Sequence, residues 1–200
     1  MRPSREEILA LLQGVGLSAE VIRHCLKVER KALEIAERIA SNGISVDIWL
    51  VQAGALLHDV GRSRSHRLDH GVLGAQLVRE SPLFSIFLSQ GDRESLALIC
   101  ERHIGGGLSA EEAEALGLPR RDFFPVSLEE KIVSHADNLV LNGIVTLEES
   151  RRAFLRRFGA QSAVYKRVFR LGEEIERMAG RFEGDNDSRE DLQEQESGQG

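Results

Sequence analysis

Cysteine is nearly absent: the chain of 200 residues has only Cys25 and Cys100, far apart and in unlike contexts. A disulfide framework is therefore not expected, and neither a CxxC pair nor a thiol metal cluster is available. Metal ligands, if any, must be His, Asp or Glu. Long hydrophobic runs are missing too. None approaches the roughly 18 to 20 residues that a bilayer requires, and the opening MRPSREEIL lacks the apolar core of a secretory signal, so the expectation is a cytoplasmic protein without a membrane partner. No stretch of five or more residues alternates like a half-buried strand, and no repeat of fixed period appears. An excess of positive charge is also lacking. The net charge is −6, and residues 184–200 hold six acids and one base, which leaves −1 for residues 1–183. That balance argues against a nucleic-acid partner, although a local basic cluster, Arg62, Arg64 and Arg67, remains.

What is present is helical periodicity. Val21, Cys25, Val28, Ala32, Ile35 and Ile39 recur at the spacing of one helix face, and the chain reads as all-α, a single domain with a core. Ser4 with Glu7, Ser109 with Glu112, Ser127 with Glu130 and Thr146 with Glu149 each fit a capping box. Gly43, Gly61 and Gly117 follow apolar helical patterns, where glycine in the left-handed conformation closes a helix. The predicted helices are 4–13, 18–42, 46–60, 69–80, 93–104, 109–116, 127–141, 146–158 and 161–182. The last carries Val164, Val168, Leu171 and Ile175 on one stripe, which could pack on the domain or against a second copy in a homo-oligomer. The triple glycine 105–107 reads as a hinge or a plain turn, and RRDFFP, 120–125, as an irregular lid or packing segment. The final stretch, 184–200, has only Leu192 to bury and reads as a disordered acidic tail.

The most informative stretch is AGALLHDVGRSRSH, 53–66. An apolar run from Trp49 to Leu57, broken only by Gln52, ends in His58 and Asp59 side by side. An anion and an imidazole at the edge of a core cost free energy unless something compensates them, and a metal ion is one such compensator. His24 flanks the apolar stripe of its helix between Val21 and Val28, and Asp137 flanks another between Val133 and Val140. Four potential ligands thus come from three helices, which is how helical bundles build metal sites. Imidazole with carboxylate suits Mn²⁺, Fe²⁺, Co²⁺ or Zn²⁺ better than Ca²⁺, and Asp59 could bridge two ions. His135 competes with Asp137: two residues apart, they diverge by about 200°, and periodicity does not choose between them.

ALLHDVGR, preceded by His24 in VIRHCLKVERKALEIA and followed by Asp137 in IVSHADNLV, resembles the HD superfamily of metal-dependent phosphohydrolases, in its HDIG variant, over about residues 18–145. The resemblance implies that 1–17 form a helix packing on the core, 18–145 the metal-dependent domain and 146–183 further helices. It implies His24, His58, Asp59 and Asp137 as ligands of a first ion, choosing Asp137 over His135, with His70 and His103 as ligands of a second, hence one or two divalent ions per chain. Where many relatives have lysine after the motif this chain has Arg62, which keeps the charge and adds bidentate phosphate binding but is a poorer proton donor. Asp59 and Arg62 are the expected catalytic pair, with Arg62, Arg64 and Lys131 on the substrate and His66 solvated or facing it. The expected chemistry is attack of metal-activated water on a phosphate ester. The expected substrate is a small-molecule phosphate ester of a nucleotide or nucleotide-like compound. One alternative is a 2′,3′-cyclic phosphodiesterase acting on a pterin or nucleotide intermediate. Another is a non-catalytic regulatory module that binds nucleotide or protein.

Overall fold

The computed structural model describes residues 2–180. The proposed acidic tail, and the last two residues of the predicted final helix, lie outside the described residues. Among the described residues ten α-helices run in the order α1 (Arg5–Gly14), α2 (Ala19–Ser41), α3 (Ile48–Leu57), α4 (His70–Glu80), α5 (Pro82–Phe87), α6 (Gln90–Arg102), α7 (Ala110–Ala115), α8 (Leu128–Asn138), α9 (Leu147–Phe158) and α10 (Ala163–Met178). Short 3₁₀ turns at Val60–Ser63 and Ile104–Gly106 follow α3 and α6. Among the described residues there is no strand, only an isolated bridge between Val140 and Ile144. The all-α, single-domain bundle agrees with the helical periodicity.

Helix α3 explains the architecture. Ala53, Leu56 and Leu57 join one apolar cluster with Ile8, Leu12, Phe84 and Leu96, while Val51 and Ala55 join a second with Ile35, Ile39, Ile132 and Ile175. A helix buried between two cores needs apolar side chains all round, and so α3 has no polar stripe. Its one polar break, Gln52, donates to Glu29 Oε1 at 3.0 Å, and Arg5 donates to both oxygens of Glu29 at 2.6 and 2.8 Å. The buried carboxylate is thereby paired and hydrogen-bonded, as burial requires.

Local signals account for most boundaries. Ser4, Ser109 and Thr146 form complete capping boxes with Glu7, Glu112 and Glu149. The fourth is half a box: Ser127 caps Glu130 N–H, but the Glu130 carboxylate accepts from Val126 N and pairs with Arg102 at 3.0 Å. A charged partner outcompetes a second cap bond. Helix α5 has no counterpart among the predicted helices; six residues long, it starts with proline at its first turn after Ser81. Predicted helix 46–60 stops at Leu57, and 127–141 stops at Asn138, where Val140 turns back onto Ile144.

Gly43 and Gly117 do close their helices with φ of 82° and 77°. Gly61 is corrected: its φ is not positive, and what demands glycine is contact. A Cβ at position 61 would collide with the backbone of His70 and Gly74. The turn after α3 can therefore lie directly against the first turn of α4. The triple glycine acts similarly. Gly107 abuts Phe123 and Phe124, whose backbone bonds Leu108 O at 2.9 Å, so both the glycines and the 120–125 stretch are packing elements. The stripe of α10 is covered by its own chain, with Leu171 and Ile175 in the second cluster.

Candidate metal centre

His58 and Asp59 sit where α3 ends and the backbone turns into the 3₁₀ segment, both buried. The close passage at Gly61 brings the start of α4, and with it His70, to Asp59. Gly71 then lets α4 approach α6, since a Cβ there would stand 3.0 Å from Cys100 O. That approach delivers His103, the residue capping α6, whose carbonyl is held by Ser134 Oγ at 2.9 Å. His24 arrives on α2 and Asp137 on α8.

The result is one continuous cluster. His24 Nε2 lies 2.9 Å from Asp137 Oδ1, 3.3 Å from His58 Nε2 and 3.9 Å from Asp59 Oδ2. His58 Nε2 stands 3.6 Å from Asp137 Oδ1 and 3.8 Å from Asp59 Oδ2. On the other side of the same carboxylate, Asp59 Oδ1 is 3.0 Å from His70 Nε2 and 3.6 Å from His103 Nε2, and those two nitrogens are 3.2 Å apart. The structure thus brings together all six residues that the resemblance offers as ligands, with Asp59 between two groups of imidazoles.

The hydrogen bonds on the outer side of the rings decide what the inner side can do. Nδ1 of His58, His70 and His103 donates to the carbonyl three residues before it, Ala55, Arg67 and Cys100, at 2.6 to 2.7 Å. In a neutral ring the proton is then on Nδ1, so each Nε2 presents a lone pair to the cluster. Lone pairs facing one another and facing carboxylate oxygens repel unless a cation lies among them. Asp59 Oδ1 is buried with no hydrogen-bond donor, and His70 at 3.0 Å cannot supply one while its proton is committed to Arg67. Ligand atoms 2.0 to 2.2 Å from an ion stand roughly 3 to 3.5 Å from one another, close to the spacings present. His24, His58 and Asp137, and again His58, Asp59 and His103, form candidate metal-holding groups. The donor set and the orphaned oxygen fit a divalent cation.

Charge shifts express the same demand. Burial pushes the Asp59 carboxyl upward, but the charge on His58 outweighs it and holds the group far below the usual carboxylate range. Asp137 is depressed in the same way against its burial, by hydrogen bonds from His24 and His58. Burial disfavours a charged His58, yet Asp59 and Asp137 prevail and raise it to about 9. His103, desolvated and beside the other imidazoles, falls to about 3. Without metal, one proton on His58 stands in for the cation.

The remaining site candidates divide. Arg62 Nε donates to Asp59 Oδ2 at 2.6 Å and joins the cluster. Arg64 does not: it borders a separate groove with Gln76, Leu77 and Glu80. Lys131 does not either, being paired with Glu174 at 2.7 Å. His135 points away from Asp137, as their spacing demands, and meets Glu176 at 3.3 Å in the buried contact of α8 with α10. His66 lies on the rim, bordering two cavities that flank the cluster, as does Arg62. The inner cavity, about 640 Å³, reaches from His70, His103 and Asp137 to Phe154, Arg157 and Phe158 on α9; the outer, about 450 Å³, runs along Arg23, His24 and Lys27 on α2. Of these, Arg23 and Lys27 on α2 and Phe154, Arg157 and Phe158 on α9 are not singled out by the sequence. The i, i+4 spacing of Phe154 with Phe158 and of Arg23 with Lys27 was the available signal.

The HD domain family profile matches residues 21–142, which is most of the chain. The chain belongs to the HD-domain family. Its two candidate ligand groups fit a divalent metal ion, in keeping with a metal-dependent hydrolase, and the donors leave the element open. The HD chain is 44% identical over 174 residues to an uncharacterised protein of Methanocaldococcus jannaschii, covering 86% of itself and 97% of that relative. It is 35% identical over 180 residues to the tRNA (cytidine(56)-2′-O)-methyltransferase of Picrophilus torridus, covering 90% of itself and 48% of the relative. It is 39% identical over 137 residues to the enzyme of that name from Thermoplasma volcanium, covering 68% of itself and 36% of the relative. The chain thus spans half or less of each methyltransferase. No solved structure matches.

Two relatives named for an activity on tRNA overturn the expectation of a small-molecule partner and no nucleic acid. The physical reason is that net charge averages over the whole surface. Residues 1–183 sum to −1, while the two cavities at the metal centre gather Arg23, Lys27, Arg62, Arg67 and Arg157. Among the described residues no helix is long and apolar enough to cross a membrane.

Proposed function

We propose that this HD protein is a metal-dependent phosphodiesterase that opens a 2′,3′-cyclic phosphate, or hydrolyses a closely related ester, on RNA. The carrying observation is Asp59, one buried carboxylate between His24 and His58 on one side and His70 and His103 on the other. In this reading His24, His58, Asp59 and Asp137 hold a first ion, and Asp59, His70 and His103 a second; Mn²⁺, Fe²⁺, Co²⁺ and Zn²⁺ all suit the donors. Bound divalent ions would supply Lewis acidity, polarising the phosphoryl oxygen and acidifying a water. The chain's own residues do the rest. Arg62 holds Asp59 Oδ2 in place through its short bond and, bordering both cavities, is placed to hold a phosphoryl oxygen. His66 on the same rim is the imidazole outside the cluster positioned to pass a proton to the leaving ribose oxygen. Water adds across one P–O bond, so a ring-opened monoester carries one more water than its precursor and no phosphate is released. The relatives' tRNA names support a polynucleotide substrate, and only ribose has the 2′ oxygen that a cyclic ester needs.

The test is a set of oligoribonucleotides ending in 2′,3′-cyclic phosphate, 3′-monophosphate or 3′-hydroxyl, incubated with protein loaded with Mn²⁺ or Fe²⁺ and read by mass spectrometry. Uptake of one water on the cyclic end is expected. Turnover confined to free nucleoside triphosphates would overturn the RNA ester, and elemental analysis near one ion per chain would remove the second site.

A further inference from the structure

We propose that the two cavities form one track for a single-stranded RNA end: the inner cavity seats the terminal, unpaired nucleobase, and the outer groove takes the phosphates behind it. The proposal rests on the phosphodiesterase reading only in that it names that site's substrate. The inner cavity has the size of a nucleoside seat and one aromatic wall. There Phe154 and Phe158 lie near-parallel, ring centroids 5.9 Å apart and 26° between planes, and the Arg157 guanidinium sits 5.1 Å from the Phe158 ring. Phe158 is 39% exposed although a buried site for its ring would lower the free energy of the chain alone. A base stacked on such a surface covers it, and stacking tolerates any base because every base has a π face.

A second observation points to a ligand in the same place. Asn138, 5% exposed, lines the inner cavity next to Asp137, and its side-chain amide nitrogen has no hydrogen-bond partner among the described residues. Buried amides are almost always paired, and a rotation of this side chain toward the cavity that its residue lines would give the nitrogen a partner on the occupant, such as a base edge or a ribose hydroxyl. The outer groove differs in kind. Arg23 and Lys27, one turn apart and exposed on α2, face it with Glu20 at its edge and Asp59 at the metal-cluster end, and no Phe, Tyr or Trp lines it. Arg62 borders both cavities at the metal cluster, where the scissile phosphate would lie. An apolar seat, a central anion holder and a basic groove in line match base, phosphate and backbone in that order. A base-paired end cannot present its terminal base face to a walled cavity, which makes the track selective for unpaired ends.

The test measures binding by fluorescence anisotropy, using the full metal-loaded chain and a 5′-labelled hexaribonucleotide with a plain 3′-hydroxyl, which has no terminal ester to cleave. The hexamer is expected to bind at least about tenfold tighter than a competing nucleoside 3′-monophosphate, and a blunt duplex of the same sequence no tighter than that competitor. Phe158→Ala should weaken binding by roughly five- to hundredfold. Arg23→Ala with Lys27→Ala should weaken the hexamer alone and flatten the slope of log affinity against log salt by about 1.4. These three residues are exposed, so the variants keep the fold, which circular dichroism checks. Equal affinity for hexamer and mononucleotide, tight duplex binding, or unchanged affinity in both variants would overturn the track. Failure of the hydrolase reading looks different: the variants would behave as described while no ester is cleaved. Cleavage of mononucleotide and hexamer esters alike, with Phe158→Ala inert in binding, would overturn the track and leave the hydrolase.

Discussion

Two buried meetings of histidine with carboxylate lie two residues apart on α8, and they differ in their hydrogen-bond arithmetic. His135 meets Glu176, on which Arg38 also converges at 3.8 Å, in the contact with α10. One carboxylate there faces an imidazole and a guanidinium, and the pair fastens two helices. At Asp137 and Asp59 the cationic partners run short of the acceptors. Three histidines spend their Nδ1 protons on backbone carbonyls, and the inner face is left with lone pairs and an undonated carboxylate oxygen. Burial of a histidine against a carboxylate is common to both regions. What separates a metal centre from a structural pair is the surplus of acceptors, because only a cation discharges it.

The comparison can be broken by removing one group at a time. Asp59→Ala takes away the shared carboxylate and should lower activity by more than about 100-fold, beyond the loss that follows removal of an outer partner. Metal content by elemental analysis should fall with it while circular dichroism stays unchanged; retained turnover would end the bridging role. His135→Ala instead takes the imidazole from a buried carboxylate, and should cost about 1 to 3 kcal/mol of stability in denaturant titration with metal stoichiometry unaltered. If metal content falls as well, the two regions are not separable.

Finer changes sharpen the contrast. Arg62→Ala should lower activity roughly tenfold or more, since its guanidinium contacts Asp59 and faces both cavities. The pH dependence follows from His58. Its pKa of about 9 in the metal-free cluster means that the ring carries a proton at neutral pH which a metal must displace. Apparent metal affinity should therefore fall by about tenfold for each unit below pH 9, and binding at pH 7.5 should release close to one proton, measurable by calorimetry in buffers of different ionisation enthalpy. His103, at about 3, is already neutral there and adds nothing. A pH-independent affinity would contradict this account. The smallest effects belong to Arg64→Ala and Lys131→Ala, for which kcat/KM should stay within about twofold.

Part of this was legible in the residues alone. Three complete capping boxes and the periodic stripes predicted most helices, because both act within four residues of backbone. His58 with Asp59 at the end of an apolar run raised the metal hypothesis, and the resemblance supplied His24, Asp137, His70 and His103. Errors arose where a distant residue intervened. Glu130 leaves its cap for Arg102, Gly61 is required by the backbone of α4 and not by its own φ, and α5 is too short for periodicity to register. Arg64 and Lys131 carry the right charge, but helix packing turns them elsewhere.

The amino-acid order by itself determined the helical class, the caps and the inventory of ligands, since these depend on local backbone sterics and on which donor atoms are present. Only the tertiary structure decided that His135 turns to Glu176 on α10, that one carboxylate lies between both groups of imidazoles, and that α2 and α9 line the two cavities. Those outcomes depend on how helices cross, which is set by side chains a hundred residues apart packing against one another around α3.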